Sequence, residues 1–532
     1  MSLPTSQKHL QVESDDSLQT GQKKKIGCVI TYFILAFITL FLSVISIRYD
    51  FLELALNERI KLRPGFPPYE KWRNPSSVEI AVKLYLFAVE NPTEFLANPE
   101  AKLKLKEIGP IYYKKIMTQE DIVFHDEDST MSYTTVYRLE YIEEMNEPDI
   151  LNKTITTINP VLLGLAAMIH DQFIAKIAFD FLASKDHVFL NKTVYEALWN
   201  STSPMLEMVK QIPFAAPRPN AGIMYNSFYP TTTRYNVNIG PKHGYENFFK
   251  INTLNGKPRI NAYGENFPKH CPFSLVGASE GTGLPPHLSK DTVIQAFTNN
   301  LCRTYPMVYN QTVKVGALDT YEFIFAPDIY KRAEDPEKDC MGKTGGVMLP
   351  DGLIDSSKCA LGTPVALSNP HFWGFHGAWE NYIEGLEPSR EKHSSHILVE
   401  PTSGIQLEAI ARIQSNIPLP SLDYYPPEVK RFSRMILPQF WMEYSVKNND
   451  EMIRGMIIFF INMPVIQPII VILLLTLSLF AVYKTVKLMM TFNMKKSWNV
   501  AKEKKKTKVI DNDVSEHYIN AFSDNSLDKT TM

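Results

Sequence analysis

The sequence predicts an α+β membrane protein in which two transmembrane helices flank one large, sheet-rich ectodomain. Three observations predict it: an uncharged apolar run near each end, short alternating β-branched runs between them, and glycosylation sequons and cysteines concentrated in that intervening stretch. Bulk composition agrees. The 532 residues are 45% hydrophobic and 21% charged, with 36 Pro, 24 Gly and a formal net charge of -2. That excludes a disordered acidic tail protein, a collagen-like repeat and a strongly basic nucleic-acid binder.

Residues 1–25 form a first tail, ending in Lys23, Lys24 and Lys25. Residues 26–47, IGCVITYFILAFITLFLSVISI, carry no charge and exceed the roughly 20 apolar residues needed to cross hydrocarbon. A cleaved signal peptide is the rival reading, with Val44 and Ser46 as the small-residue site, but its apolar stretch should be only about 7 to 15 residues. Residues 461–483 form the second span, with Pro464 and Pro468 near its outer end, where breaking a helix costs least. Nine lysines between Lys484 and Lys508 follow it, opposed there only by Glu503. The positive-inside rule then places both termini in the cytosol and residues 48–460 outside the cell or in a lumen.

The ectodomain carries sequons at Asn152, Asn191, Asn200 and Asn310, whereas neither tail has one. It also holds Cys271, Cys302, Cys340 and Cys359, an even number that suits an oxidising compartment and allows three pairings. Cys28 lies inside the first span, as a buried membrane thiol or a palmitoylation site. No C-x-x-C occurs, so a zinc ribbon or thioredoxin-type site has no support.

Tyr133–Tyr141, Tyr321–Phe325 and His396–Val399 read as strands. Pro160–Ser184 reads as one amphipathic helix, with Leu165, Ile169, Phe173, Ile177 and Phe181 recurring every four residues. Further helices are expected at Thr193–Trp199 and, capped by Ser289, at Asp291–Leu301. Residues 484–532 read as a disordered cytosolic tail, basic in its first half and acidic in its second.

Few residues suggest catalysis. Gly277-Ala278-Ser279-Glu280-Gly281 matches G-x-S-x-G, but Thr282-Gly283-Leu284-Pro285-Pro286 follows where a nucleophile elbow needs a helix. Gly342-Lys343-Thr344 lacks the first glycine of a phosphate loop, since Glu337 stands there. His371, His376, His393 and His396 match no familiar metal spacing. The tails sum to +1 (four Lys, three acids) and +4 (ten Lys, six acids), leaving about -7 on the remainder. Nucleic acid is thus an unsuitable partner, and no cofactor, metal site or catalytic residue is called for.

Local motifs then resemble a known family. Asn91-Pro92-Thr93-Glu94-Phe95 precedes Glu107-Ile108-Gly109-Pro110-Ile111-Tyr112-Tyr113; Leu198-Trp199, Cys302-Arg303 and Ser357-Lys358-Cys359 follow in order. Gly385-Leu386-x-Pro388, His393 and Glu400-Pro401-Thr402-Ser403-Gly404 complete the series. Together with two terminal spans, this resembles the class B scavenger receptor family, including its fatty-acid translocase and lysosomal integral membrane protein branches. The resemblance implies a β-barrel-like ectodomain with an apical helical bundle and a lipid-carrying tunnel.

It implies disulfides Cys302–Cys359 and Cys271–Cys340, while Met341 and Gly342 stand where relatives have a cysteine of a third bridge. It places Leu165, Ile169, Phe173, Ile177 and Phe181 in the apical bundle as ligand-binding candidates. Lys185 joins them, beside the position where the fatty-acid translocase branch has a ligand-binding lysine and this chain has Ala183. The function implied is a plasma-membrane receptor for lipids or lipoprotein particles that passes fatty acid or sterol to the membrane. The alternatives are a lysosomal membrane protein escorting a soluble enzyme through the apical bundle, and a phagocytic or adhesion receptor without lipid transport. The tail end, Asp524 to Met532, has no acidic-dileucine signal, and Thr530-Thr531-Met532 could fit a PDZ groove.

Overall fold

Alternating apolar and polar residues build the large sheet between the two terminal helices. The computed structural model describes the chain except residues 1–4, 76–77, 171–176, 178, 182, 210–219, 221, 228–231, 261, 263–270, 272–273, 298–302, 345, 361, 449 and 524–532. In it, β1 (Val78–Val89), β2 (Leu103–His125), β3 (Thr130–Tyr141), β4 (Thr232–Asn238) and β5 (Ile251–Leu254) are successive antiparallel neighbours. So are β6 (Ile294–Phe297), β7 (Thr304–Val315), β8 (Leu318–Phe325), β9 (His396–Glu400), β10 (Ile405–Pro418) and β11 (Ile436–Asn448). The first and last strands join the two meanders, with Val82 opposite Tyr444 and Leu84 opposite Met442. The three expected strands lie within β3, β8 and β9.

The expected barrel is not closed. β5 and β6 end the path and do not pair with each other. Instead residues 275–279 bond to both. Ile251 N–H donates to the Ala278 carbonyl at 2.8 Å and Gly277 N–H to the Ile251 carbonyl at 2.9 Å. On the other side Ser279 N–H reaches the Gln295 carbonyl, and Phe297 N–H reaches the Ser279 carbonyl, both at 2.8 Å. An irregular segment therefore laces two short edges, satisfying backbone groups that would otherwise template another chain.

Phe51–Lys61, Pro67–Arg73 and Pro92–Ala97 form helices α2, α3 and α4. Of the three helices expected beyond them, two change. Residues 160–184 are not one helix: α5 spans Pro160–Met168 and stops at Ile169, whose backbone leaves helical geometry (φ -108°, ψ 9°). Its start follows from sequence, since the Asn159 side chain accepts from the Val161 and Leu162 amides and Pro160 occupies the first turn. Helical geometry resumes at residues 177, 179–181 and 183. Within the helix expected over Asp291–Leu301, Ile294–Phe297 is instead strand β6 and residues 298–301 lie outside the described residues, while Ser289 and Thr292 close a turn through a 2.9 Å bond from Ser289 N–H to Thr292 Oγ1. Thr292, Val293 and Ile294 are β-branched, which favours the extended form. The helix expected near Thr193–Trp199 is present as α6 (Val194–Trp199), capped reciprocally by Thr193 and Glu196.

The terminal helices form a unit of their own, residues 1–54 and 459–532. α1 (Thr5–Arg48) and α7 (Met463–Ser523) contain the segments long and apolar enough to cross a membrane, Lys24–Arg48 and Ile453–Lys502. Phe37, Leu473 and Leu479 stay 62–70% exposed, an apolar outer surface that suits hydrocarbon. Small side chains face inward: Ala36, Ser43, Ser478 and Ala481 are buried, and Ser478 Oγ donates to the Ala36 carbonyl at 3.1 Å. A π-turn, Ile458–Asn462, precedes α7. Pro464 and Pro468 lack the N–H groups that would bond carbonyls of the preceding turn, which accounts for the irregularity. The tail expected as disordered is helical through Ser523.

Candidate functional site

The five residues expected to share one apical helix face are divided. Leu165 and Ile169 are half-buried against the main hydrophobic cluster. Ile177 and Phe181 are 62% and 67% exposed, Lys185 is exposed, and Phe173 lies outside the described residues. The buried face is Leu162, Leu163, Ala166, Ala167 and, further on, Phe179. A four-residue repeat overshoots a 3.6-residue turn by about 40° per step, so Leu165 and Phe181 would lie about 160° apart even on a continuous helix. Ile177 and Phe181 are thus an exposed apolar pair.

A second feature lies on the inner face of the sheet. Register places Tyr113 and Lys115 of β2, Tyr133, Tyr137 and Leu139 of β3, and Met442 and Tyr444 of β11 on one side, with Ala411 and Ile413 of β10. Opposite-facing neighbours such as Lys114, Arg138 and Glu140 are exposed, which marks the outer side. The inner side chains are mostly apolar or aromatic. Lys115, Tyr137, Leu139, Ala411, Ile413, Met442 and Tyr444 nevertheless keep partial exposure.

The Lys115 ammonium sits 4.3 Å from the Tyr137 ring centroid and 5.0 Å from that of Tyr444. Desolvation lowers the Lys115 pKa to about 8, and Glu280 opposes that shift. Glu280 enters from the lacing segment; its carboxylate accepts from the Tyr133 hydroxyl at 2.9 Å and from Thr282 Oγ1. Burial raises the Glu280 carboxyl above its ordinary range, against those bonds and Lys115. Sequence reasoning missed these residues, although strand parity was legible: Lys115 falls in step with Ile111 and Tyr113.

The residues that carry the family resemblance hold backbone and core geometry. Gly109 has φ +144° at the β1–β2 bulge, and a Cβ there would stand 2.5 Å from the Leu84 carbonyl oxygen. Gly385 (φ +92°) would meet the Leu105 oxygen at 1.9 Å. Glu400 accepts from the amides of Thr402 and Ser403 and from the Ser403 hydroxyl, closing its turn. Asn91 bridges the Lys102 carbonyl and the Lys104 amide, and Pro92 opens a short helix that buries Phe95.

His393 stacks on His371 with ring centroids 4.5 Å apart. His371 Nδ1 accepts from the Glu387 amide, so its Nε2 carries the proton donated to Glu107 at 2.7 Å. Burial works to raise the Glu107 carboxyl, and the bonds from His371 and Trp441 outweigh it, holding it below its ordinary value. His376 and His396 each bond a different carboxylate, Glu380 and Glu408.

Ser279 is buried and donates its hydroxyl to the Gly283 carbonyl at 2.9 Å, with no helix following it. Cys271 and Cys340 form a disulfide across 69 residues. Cys359 is disulfide-bonded, and Cys302 lies outside the described residues. Asn152, Asn191, Asn200 and Asn310 are all exposed.

Comparison with known proteins agrees across most of the chain. Residues 29–489 match the family model described as the CD36 family. The chain is 25% identical over 411 residues to lysosome membrane protein 2 from Homo sapiens, covering 75% of this chain and 81% of that protein. It is 25% identical over 427 residues to sensory neuron membrane protein 1 from Apis mellifera, covering 76% and 80%. Protein peste from Drosophila melanogaster is 24% identical over 403 residues, covering 74% and 70%. With the spans, the motif positions and the family match in agreement, the chain belongs to the CD36 family of class B scavenger receptors.

Proposed function

We propose that this membrane protein is a plasma-membrane receptor that takes lipids or lipoprotein particles at an apical helical bundle around Ile177 and Phe181. Fatty acid or sterol then passes through the ectodomain interior to the membrane, with no covalent step. One observation supports the reading: the inner face of the sheet is largely apolar and aromatic, and many of its side chains keep partial exposure. A filled core would serve stability alone, whereas apolar walls with space between them can exchange hydrocarbon for hydrocarbon at about 25 cal/mol per Å². In this reading residues 48–460 are extracellular, glycosylated at Asn152, Asn191, Asn200 and Asn310, and bridged by Cys302–Cys359. Residues 1–25 and 484–532 lie in the cytosol.

The test is mass spectrometry of lipids retained by the full-length chain purified in detergent, against a mock purification. Fatty acid or sterol near one equivalent per chain is expected. Protein recovered without bound lipid would remove the conduit and favour a receptor for a protein ligand at the same apical helices. Similarity to lysosome membrane protein 2 supports a second reading, residence in the lysosomal membrane. Surface biotinylation beside colocalisation with an acidic-compartment dye separates the two.

A further inference from the structure

We propose that Lys115 is an internal reader of lipid charge, holding the carboxylate of a fatty acid within the sheet and so favouring acids over neutral sterols and esters. This rests on the lipid-carrying reading above. The first ground is position. Lys115 is on the inner face of a central strand, its ammonium over Tyr137 and Tyr444, with Leu139, Ala411, Ile413 and Met442 sharing that face. A lone cation among hydrocarbon walls matches an amphiphile with one anionic end.

The second ground is the lack of a partner. Among the described residues no hydrogen bond or ion pair reaches the Lys115 ammonium, whereas Arg412, Lys83 and Arg332 each have a carboxylate partner. Arg412 bonds Glu443 at 2.7 Å and the Ser394 carbonyl at 2.6 Å; Lys83 bonds Glu443 at 2.6 Å. Arg332 bonds the Leu353 carbonyl at 2.6 Å and pairs with Asp339 at 3.2 Å. Removing an ammonium from water without hydrogen-bond acceptors is costly, and two aromatic faces replace only part of that hydration. An incoming carboxylate would supply the rest.

The third ground is the neighbouring acid. Among the described residues Glu280 influences Lys115 electrostatically but forms no ion pair with it, and the hydroxyls of Tyr133 and Thr282 both donate to its Oε1. Glu280 opposes the desolvation that lowers the Lys115 pKa while leaving the ammonium's donors open. Their vacancy is what an anionic headgroup would fill, through charge-assisted bonds that an ester or a sterol hydroxyl cannot match.

The experiment uses the full-length chain in nanodiscs and three tritiated probes: palmitic acid, its methyl ester and cholesterol. Wild type is compared with Lys115→Met and Lys115→Arg. The expected result is palmitate affinity weakened at least about tenfold in Lys115→Met, ester and cholesterol affinities held within about twofold, and palmitate binding kept in Lys115→Arg. Equal weakening of acid and ester would show a packing role and overturn the proposal. Unchanged palmitate binding in Lys115→Met would overturn it as well. If wild type bound none of the three probes, the lipid-carrying reading would fall and this proposal with it.

Discussion

His393 shows what a single buried side chain does to the pH response. Desolvation lowers its pKa to about 4, with the charges of His371, Arg412 and Lys392 acting in the same direction and Glu107 opposing. Between the ordinary value near 6.5 and this folded value the unfolded chain binds more protons. The stabilisation from a neutral His393 is therefore complete above pH 6.5 and is lost as pH falls towards 4. The loss is at most about 3 kcal/mol. His393→Asn, which keeps an acceptor near the Ser389 amide, should flatten the acid limb. Thermal melts of both full-length proteins at pH 7.5 and 4.5 check this: a wild-type midpoint that falls no further than the variant's on acidification would remove His393 as the cause. Residence in an acidic compartment would draw on this margin, whereas residence at the cell surface would not.

At the scale of elements, the two terminal helices are held by polar contacts as well as small residues. Gln467 of α7 donates to the carbonyls of Ser46 and Tyr49 at 2.7 and 2.9 Å, and its own oxygen accepts from Phe51 N–H at 3.3 Å. One side chain thus serves three backbone groups at the end of α1, where carbonyls have no intrahelical partner. Gln467→Leu removes all three bonds and should weaken helix pairing by about 1 kcal/mol. Cysteines placed by Ala36→Cys and Ser478→Cys should crosslink in membranes, and less efficiently when Gln467→Leu is added; equal yields would exclude the clasp.

Legibility differed among elements for physical reasons. Strands such as β3 and β8 were readable because a period of two is strict. The helix after Asn159 was readable at its cap, but the four-residue spacing from Leu165 to Phe181 was mistaken for a single face. β6 was misread because a turn between Ser289 and Thr292 uses the residue types of a helix cap. Lys115 was legible only as strand parity; the surroundings of its ammonium depend on residues 22 and 329 positions away, Tyr137 and Tyr444.

For the whole molecule, the decisive join is the lacing segment between β5 and β6. Cys271 stands four residues before it and ties it to Cys340. Replacing both cysteines by serine should cost the sheet domain about 2 to 5 kcal/mol by the loop-entropy argument and, if the protein resides at the cell surface as proposed, lower its delivery there. Surface biotinylation of the double variant tests this, and wild-type delivery together with an unchanged melting midpoint would show the bridge to be dispensable. Because one short segment covers two strand edges, its displacement would uncover both at once. A copy opened in this way would present two unsatisfied borders, each able to accept the opposite border of a neighbour. The hazard at this seam is head-to-tail polymerisation, and the segment that laces the two edges is also what keeps copies of the chain apart.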